Sequence, residues 1–308
     1  MSVVVRRKEG IQRKPREPGL WHRMKKNWVA YVFISPFYIL FSIFGLFSLL
    51  FSFYISFHRW DGLTPMRWWA LKNYAELFAD DKFLIAIRNT MVLTLFDLPL
   101  KVFTPLLLAV ALNSKLVKGR GVFRTLFYLP EVTSAVVVAI VFSYFFSGDT
   151  SVINYFIQRL GGPRIPWLTD RFWAKMSLVI LSGWWSQGYH MIIYLAGLQS
   201  IPNEVVEAAI VDGANRVQIF TKITLPLLRP IIIFTSIITV NHGLQRFAEP
   251  YLLTGGGPAY GTLTMILYLY RKAFEGFRLG YSAAMAYVIF AMIFVASLVQ
   301  LRFGRRQE

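Results

Sequence analysis

Pro202–Pro226, reading PNEVVEAAIVDGANRVQIFTKITLP, is a polar, helix-forming stretch between two long apolar segments. Glu204, Glu207, Asp212 and Lys222 forbid it from lying as a helix in lipid. Pro202 or Asn203 can open a first helix, with Glu204 and Glu207 near its positive N-terminal end. Gly213 is placed to end that helix, because a residue without Cβ accepts the left-handed conformation beyond the last turn. Asn215 can cap a second helix running through Val217, Ile219, Phe220 and Ile223 to Pro226. Ala208, Ala209 and Ala214 leave the corner slim. Such a corner suits a groove on another protein, or a plain connection between two spans. Nothing in its physics names a partner.

Working outward, the bulk composition makes lipid the solvent. Of 308 residues, 56% are hydrophobic and 16% charged, and mean hydropathy is +0.48. Soluble domains carry about 25% charged residues. The net charge of +17 is no argument for nucleic acid, because the basic residues border apolar segments, where an anionic inner leaflet attracts them. The absence of cysteine excludes disulfides, iron–sulfur clusters and thiolate zinc sites. The four histidines (His22, His58, His190, His242) show no metal-ligand spacing.

The expected fold is an all-α membrane protein with six transmembrane helices. Residues 1–28 form a basic tail; Met1–Asn27 holds nine Lys or Arg against two Glu. Residues 29–303 form the membrane domain, with the polar loop at 200–226, and residues 304–308 form the C-terminal tail. The expected spans are Val29–Phe57, Ala86–Leu112, Val122–Phe146, Phe172–Leu198, Leu227–Phe247 and Ser282–Leu301. The first is too long for a cleavable signal segment. An inside N-terminus puts 19 Lys or Arg in inside segments and 13 outside, which favours cytoplasmic termini. The tail supplies nearly half of that inside total.

Glu207–Pro226 resembles the characteristic cytoplasmic loop of permease subunits from binding-protein-dependent ATP-binding-cassette importers. The matching residues are Glu207, Ala208, Ala209, Asp212, Gly213, Leu225 and Pro226. Ala196–Ala209 (AGLQSIPNEVVEAA), Leu252–Pro258 (LLTGGGP), Phe127–Pro130 (FYLP) and Tyr270–Phe274 (YRKAF) are similar to the carbohydrate branch, which contains maltose, multiple-sugar and glycerol-phosphate permeases. The resemblance spans roughly residues 30 to 305. It departs at Phe247-Ala248-Glu249-Pro250, where that branch usually carries a Phe-Asp pair.

The resemblance implies a type I importer permease fold with a cytoplasmic coupling helix, in a bacterial or archaeal plasma membrane. It implies a second permease subunit, two ATP-binding subunits that hold ATP and Mg, an extracytoplasmic sugar-binding protein and a sugar substrate. The chain itself would bind no cofactor, no metal and no nucleic acid, and would perform no catalysis. Glu207 would anchor the loop to the ATPase, and Gly213 would let the chain turn. A glycerol-phosphate ester is the alternative solute.

Other features are weighed on their own chemistry. Thr254, Gly256, Gly257 and Pro258 sit in an outer loop without the Gly-Lys-Ser/Thr of a phosphate-binding loop, so it is a plain turn, or an outer gate and binding-protein contact. Asp97 and Lys101 share a helix face and are expected to pair with each other. Ser182, Trp185, Tyr189, His242, Gln245 and Arg246 suit a sugar, aromatic faces meeting its C–H surface and polar groups its hydroxyls. The same residues equally suit hydrogen bonds between helices. A secondary transporter would need internal repeats, and a membrane enzyme a cluster of acids and histidines; the chain displays neither.

Overall fold

A computed structural model describes residues 20–114, 117–148 and 151–305. The expected basic tail as far as residue 19 and the last three residues lie outside the described residues. The chain divides into two compact units, Met1–Ser52 and Phe53–Glu308. The division falls inside the first long helix rather than at the end of the basic tail.

In the first unit, the short helix Leu20–Lys26 precedes helix α1, Trp28–Ser56, which continues past the division. Helix α1 has 29 residues and a mean hydropathy of 2.1. Its large side chains, among them Phe33, Phe37 and Phe44, are exposed. An uncharged exposed surface of that length is one that lipid solvates.

The second unit begins with a hairpin. Strands β1 (His58–Arg59) and β2 (Arg67–Trp68) pair antiparallel, His58 opposite Trp68 and Arg59 opposite Arg67. Asp61 shapes the turn, its Oδ1 accepting from Leu63 N at 3.0 Å and Thr64 N at 2.8 Å. The buried Asn73 amide, on helix α2 (Lys72–Phe78), ties the hairpin down by donating to Ser56 O at 2.8 Å and His58 O at 2.9 Å.

Helix α3, Asp81–Asn113, is the axis of this unit. Asp80 caps it, accepting from Lys82 N at 2.9 Å, and the helix runs through Pro99 and Pro105. It packs most extensively on helix α6, Arg171–Gln199, which Asp170 caps through Phe172 N and Trp173 N. Both exceed the roughly 20 residues a span requires, and α3, with a mean hydropathy of 1.8, is also as apolar as one.

Two expected spans need correction. Val122–Phe146 is not one helix. Arg120–Val132 (α4) and Ala135–Phe146 (α5) meet at 99°. Pro130 tightens the end of α4 into a 3₁₀ turn, and Thr133 is extended at φ −82°, ψ 139°. Ser134 then restarts the helix by accepting from Val136 N. Leu227–Phe247 is shorter than expected: a 64° bend at its entry separates Arg216–Leu227 (α8) from the single helix Arg229–Leu244 (α9). Pro230 occupies the first turn of α9, where its missing N–H costs nothing. Helix α9 stops at Leu244, leaving Gln245, Arg246 and Phe247 beyond its end. The last long helix is α10, Leu279–Arg305.

The cores follow this skeleton. Leu106, Leu112, Tyr194, Leu198 and Leu228 form one cluster joining the C-terminal ends of α3 and α6 to the start of α9. Leu77, Phe83, Met265, Tyr268 and Tyr281 form another at the opposite end of α3. Close approach is allowed where α6 crosses α4: a Cβ on Gly188 would sit 2.3 Å from Phe127 O.

Candidate functional site

The Pro202–Pro226 island folds as two short helices. Helix α7, Asn203–Val211, has Glu204 in its first turn. Gly213 follows at φ +79°, and no heavy atom lies within 4 Å of where its Cβ would stand. The glycine is therefore demanded by backbone conformation and not by crowding. The turn is closed by Gly213 N donating to Ile210 O at 3.0 Å and Ala214 N to Ala209 O at 2.9 Å. Asn215 and Gln218 form a reciprocal capping box at the start of α8.

The surface of this island combines two features. Glu204, Glu207 and Asp212 are exposed, and among the described residues none is in an ion pair. At the same corner Val211 is 86% and Val217 70% exposed. Ala208 is exposed, whereas Ala209 is buried against the island's own fold. Leu225 and Pro226 stand where α8 runs towards the bend at Leu228, and Leu225 packs partly on the cluster around Leu198. The island thus connects by backbone to both α6 and α9.

Between α6 and α9 lies a ladder of buried polar contacts. His190 Nε2 lies 3.2 Å from Thr239 Oγ1, and Tyr194 OH lies 2.5 Å from Thr235 Oγ1. Higher up, charges converge on Asp97 of α3. Lys101 Nζ lies 3.2 Å from Asp97 Oδ2, as the spacing predicts. Arg246 Nη2 also donates to Asp97 Oδ2, and to Ser182 Oγ at 2.8 Å. Glu249 lies 3.9 Å from Arg246 Nε. Asp97, Lys101, Ser182 and Arg246 are all buried. Removing such charges from lipid into mutual contact is how a membrane interior accommodates them.

The six residues expected to suit a sugar therefore divide. Ser182 and Arg246 belong to the buried cluster that joins α3, α6 and the end of α9. Trp185 is half-buried, with no partner for its indole N–H. Tyr189 is exposed, its ring meeting His190 edge-on at 5.5 Å. His242 and Gln245 are also exposed. Ser182, Trp185 and Tyr189 share one face of α6 by their spacing.

The loop around Thr254–Thr262 is braced rather than loose. Gly255 and Gly256 hold φ +54° and +77°. Thr254 Oγ1 lies 2.6 Å from Thr262 Oγ1, which donates to Gly257 O at 2.7 Å. Pro258 follows, and just beyond it Asn89 of α3 donates to Tyr260 O at 2.7 Å and Leu263 O at 3.1 Å. Sequence reasoning missed Asn89 because a lone amide in an apolar span carries no signal of its partner.

The family described as binding-protein-dependent transport system inner membrane component matches residues 102–308. A probable ABC transporter permease, YesP of Bacillus subtilis, is 39% identical over 280 residues, covering 89% of this chain and 90% of the relative. The lactose transport system permease LacF of Rhizobium radiobacter is 36% identical, covering 91% and 95%. The multiple sugar-binding transport system permease MsmF of Streptococcus mutans is 33% identical, covering 92% and 98%. Among solved structures, a chain of a bacterial ABC transporter that imports the acidic polysaccharide alginate superposes with a TM-score of 0.81 at 30% identity, covering 93% of this chain and 98% of that one. A second structure of a bacterial alginate transporter, in complex with a periplasmic protein carrying an alginate pentasaccharide, gives 0.80. The chain belongs to the family of binding-protein-dependent transport system inner membrane components, the permeases of ABC importers.

Proposed function

We propose that this chain is one of two permease subunits forming the pore of an ATP-driven sugar importer. The observation that carries the reading is the exposed island at Pro202–Pro226. It presents unpaired carboxylates and bare valines outside any apolar span, and it is continuous with the two helices that hold the candidate sugar residues. Exposed apolar side chains grouped beside unpaired carboxylates suit a contact surface. Its occupant is an ATPase subunit, with Glu207 meeting a basic group and α7 acting as the coupling helix. The lactose and multiple-sugar names of relatives similar along the whole chain, and the alginate importer fold, support a saccharide as solute.

In this reading the chain crosses a bacterial or archaeal plasma membrane six times, with both termini inside. Helix α1, α3, the bent pair α4–α5, α6, α9 and α10 are the six crossings. A second permease subunit completes the pore, and an extracytoplasmic binding protein delivers the sugar. Two ATPase subunits bind ATP and Mg, and this chain hydrolyses nothing itself. Tyr189, His242, Gln245 and Trp185 offer the polar and aromatic surface for the sugar. Asp97, Arg246, Lys101 and Ser182 hold the helices that carry them.

The test is affinity purification of the chain from its native membrane. A nucleotide-hydrolysing partner should come with it, and should be lost on deleting residues 202–213. Gly213→Asp forces a β-carbon into a left-handed position at the docking corner. It should abolish sugar uptake while the chain still inserts in the membrane; normal uptake would overturn the reading.

A further inference from the structure

The hairpin β1–β2 builds a second site, far from the island. A cavity of about 710 Å³ opens between the hairpin, α2 and the start of α10. Its walls include Arg59, Arg67 and Arg278 against the carboxylates of Asp61 and Glu76. Arg278 Nη2 donates to Glu76 Oε2 at 2.6 Å, so that arginine is engaged. Asp61 Oδ1 is held by its own turn, accepting from two backbone amides and from Thr64 Oγ1 at 2.8 Å. Among the described residues, neither Arg59 nor Arg67 has a carboxylate within ion-pair distance.

The ladder sets Arg59 directly opposite Arg67. Like charges so placed oppose the pairing of the strands. Arg59 leans over the Trp69 ring at 5.6 Å, and Lys72 Nζ lies over the same ring at 4.5 Å. Two cations thus share one indole. The wall is also aromatic: Trp60, Trp69 and Phe277 line it, and Phe277 is 59% exposed. Phe277 also holds φ +50°, a conformation that costs a bulky residue energy and is kept where the surroundings use it.

A cationic centre inside an aromatic rim has the anatomy of a protein–protein contact, not of a closed solute pocket. The site also lies at the proper end of the molecule. Tyr281, which lines the cavity, donates to Asp80 Oδ2 at 2.7 Å at the N-terminal end of α3. The island packs against Leu112 and Leu198 at the other end of that 33-residue helix. About 50 Å of helix separates the two.

We propose that Arg59 and Arg67 form an anchoring socket for a carboxylate side chain on the extracytoplasmic binding protein, with Trp60, Trp69 and Phe277 as its aromatic collar. This rests on the permease reading above. A similar chain, 30% identical, belongs to a transporter solved in complex with a sugar-bound periplasmic protein. The socket supplies two unpaired positive charges, and the matching partner is an acidic protuberance.

The complete importer, reconstituted in lipid nanodiscs, tests this with purified sugar-loaded cognate binding protein. ATP hydrolysis is titrated with that protein for the parent and for the double variant Arg59→Gln/Arg67→Gln. The concentration giving half-maximal stimulation should rise about tenfold or more, as removing a central charged anchor does. Its dependence on salt should weaken, while hydrolysis without binding protein and the maximal rate stay unchanged. Arg59→Lys/Arg67→Lys should keep most of the affinity, which separates a lost charge from a misfolded hairpin. An unchanged titration in the Gln variant overturns the socket. Displacement of the binding protein by a short oligogalacturonate, with the same arginine dependence, would also overturn it in favour of a saccharide site. Failure of any ATPase subunit to assemble would instead overturn the permease reading itself.

Discussion

Asp97 shows how much a single buried carboxylate can organise. Its Oδ2 receives Lys101 from the next turn of its own helix and Arg246 from beyond the end of α9. Asp97→Ala would leave two buried cations without their shared anion, at a cost of about 3–5 kcal/mol. Thermal unfolding in detergent should register that loss. Asp97→Ala/Arg246→Ala together should cost less than the sum of the two single changes, as a double-mutant cycle reads. The Asp97–Lys101 pair follows from a four-residue spacing, whereas Arg246 is 149 positions away and only folding brings it in. The exposed residues behave differently. Replacing Tyr189 and His242 with Ala should leave unfolding unaffected and shift which sugar stimulates uptake; unchanged selectivity would remove them from the pathway.

At the scale of elements, the bends matter more than the helices. Hydropathy averages over a window, so it finds the apolar length of Val122–Phe146 but not the corner inside it. Pro130 and Ser134 signal that corner locally, and the 99° angle is set by what α4 and α5 each pack against. The hairpin–α2 element has its own chemistry. The Arg278 guanidinium, donating at 2.6 Å, holds the Glu76 carboxyl below its ordinary value of 4.5. The folded state therefore gives up that proton more readily than the unfolded chain. The tie contributes fully above the ordinary value and is lost as pH falls through the lower folded one. Arg278→Gln should flatten the fall of the unfolding temperature as pH drops below the ordinary carboxyl value of 4.5, relative to the parent protein.

Over the whole molecule, the island is joined to the candidate pathway twice, by backbone and by the polar ladder between α6 and α9. His190–Thr239 and Tyr194–Thr235 tie those two helices together. Thr235→Val/Thr239→Val keeps their shape and removes both links. Sugar carried per ATP should fall severalfold while stimulated hydrolysis persists; an unchanged ratio would show that the backbone connection alone transmits the motion. The long apolar runs, the charged island and the placement of Gly213 and Asn215 were determined by sequence alone. Each depends on local physics: lipid excludes charge, and left-handed backbone or an open helix end selects its residue. Which buried polar groups meet was decided only by tertiary structure. The same goes for the angle inside one span, for the angle at the entry of another, and for the cavity that Arg59 and Arg67 line. Those outcomes depend on contacts between residues far apart in the chain, and no local spacing encodes them.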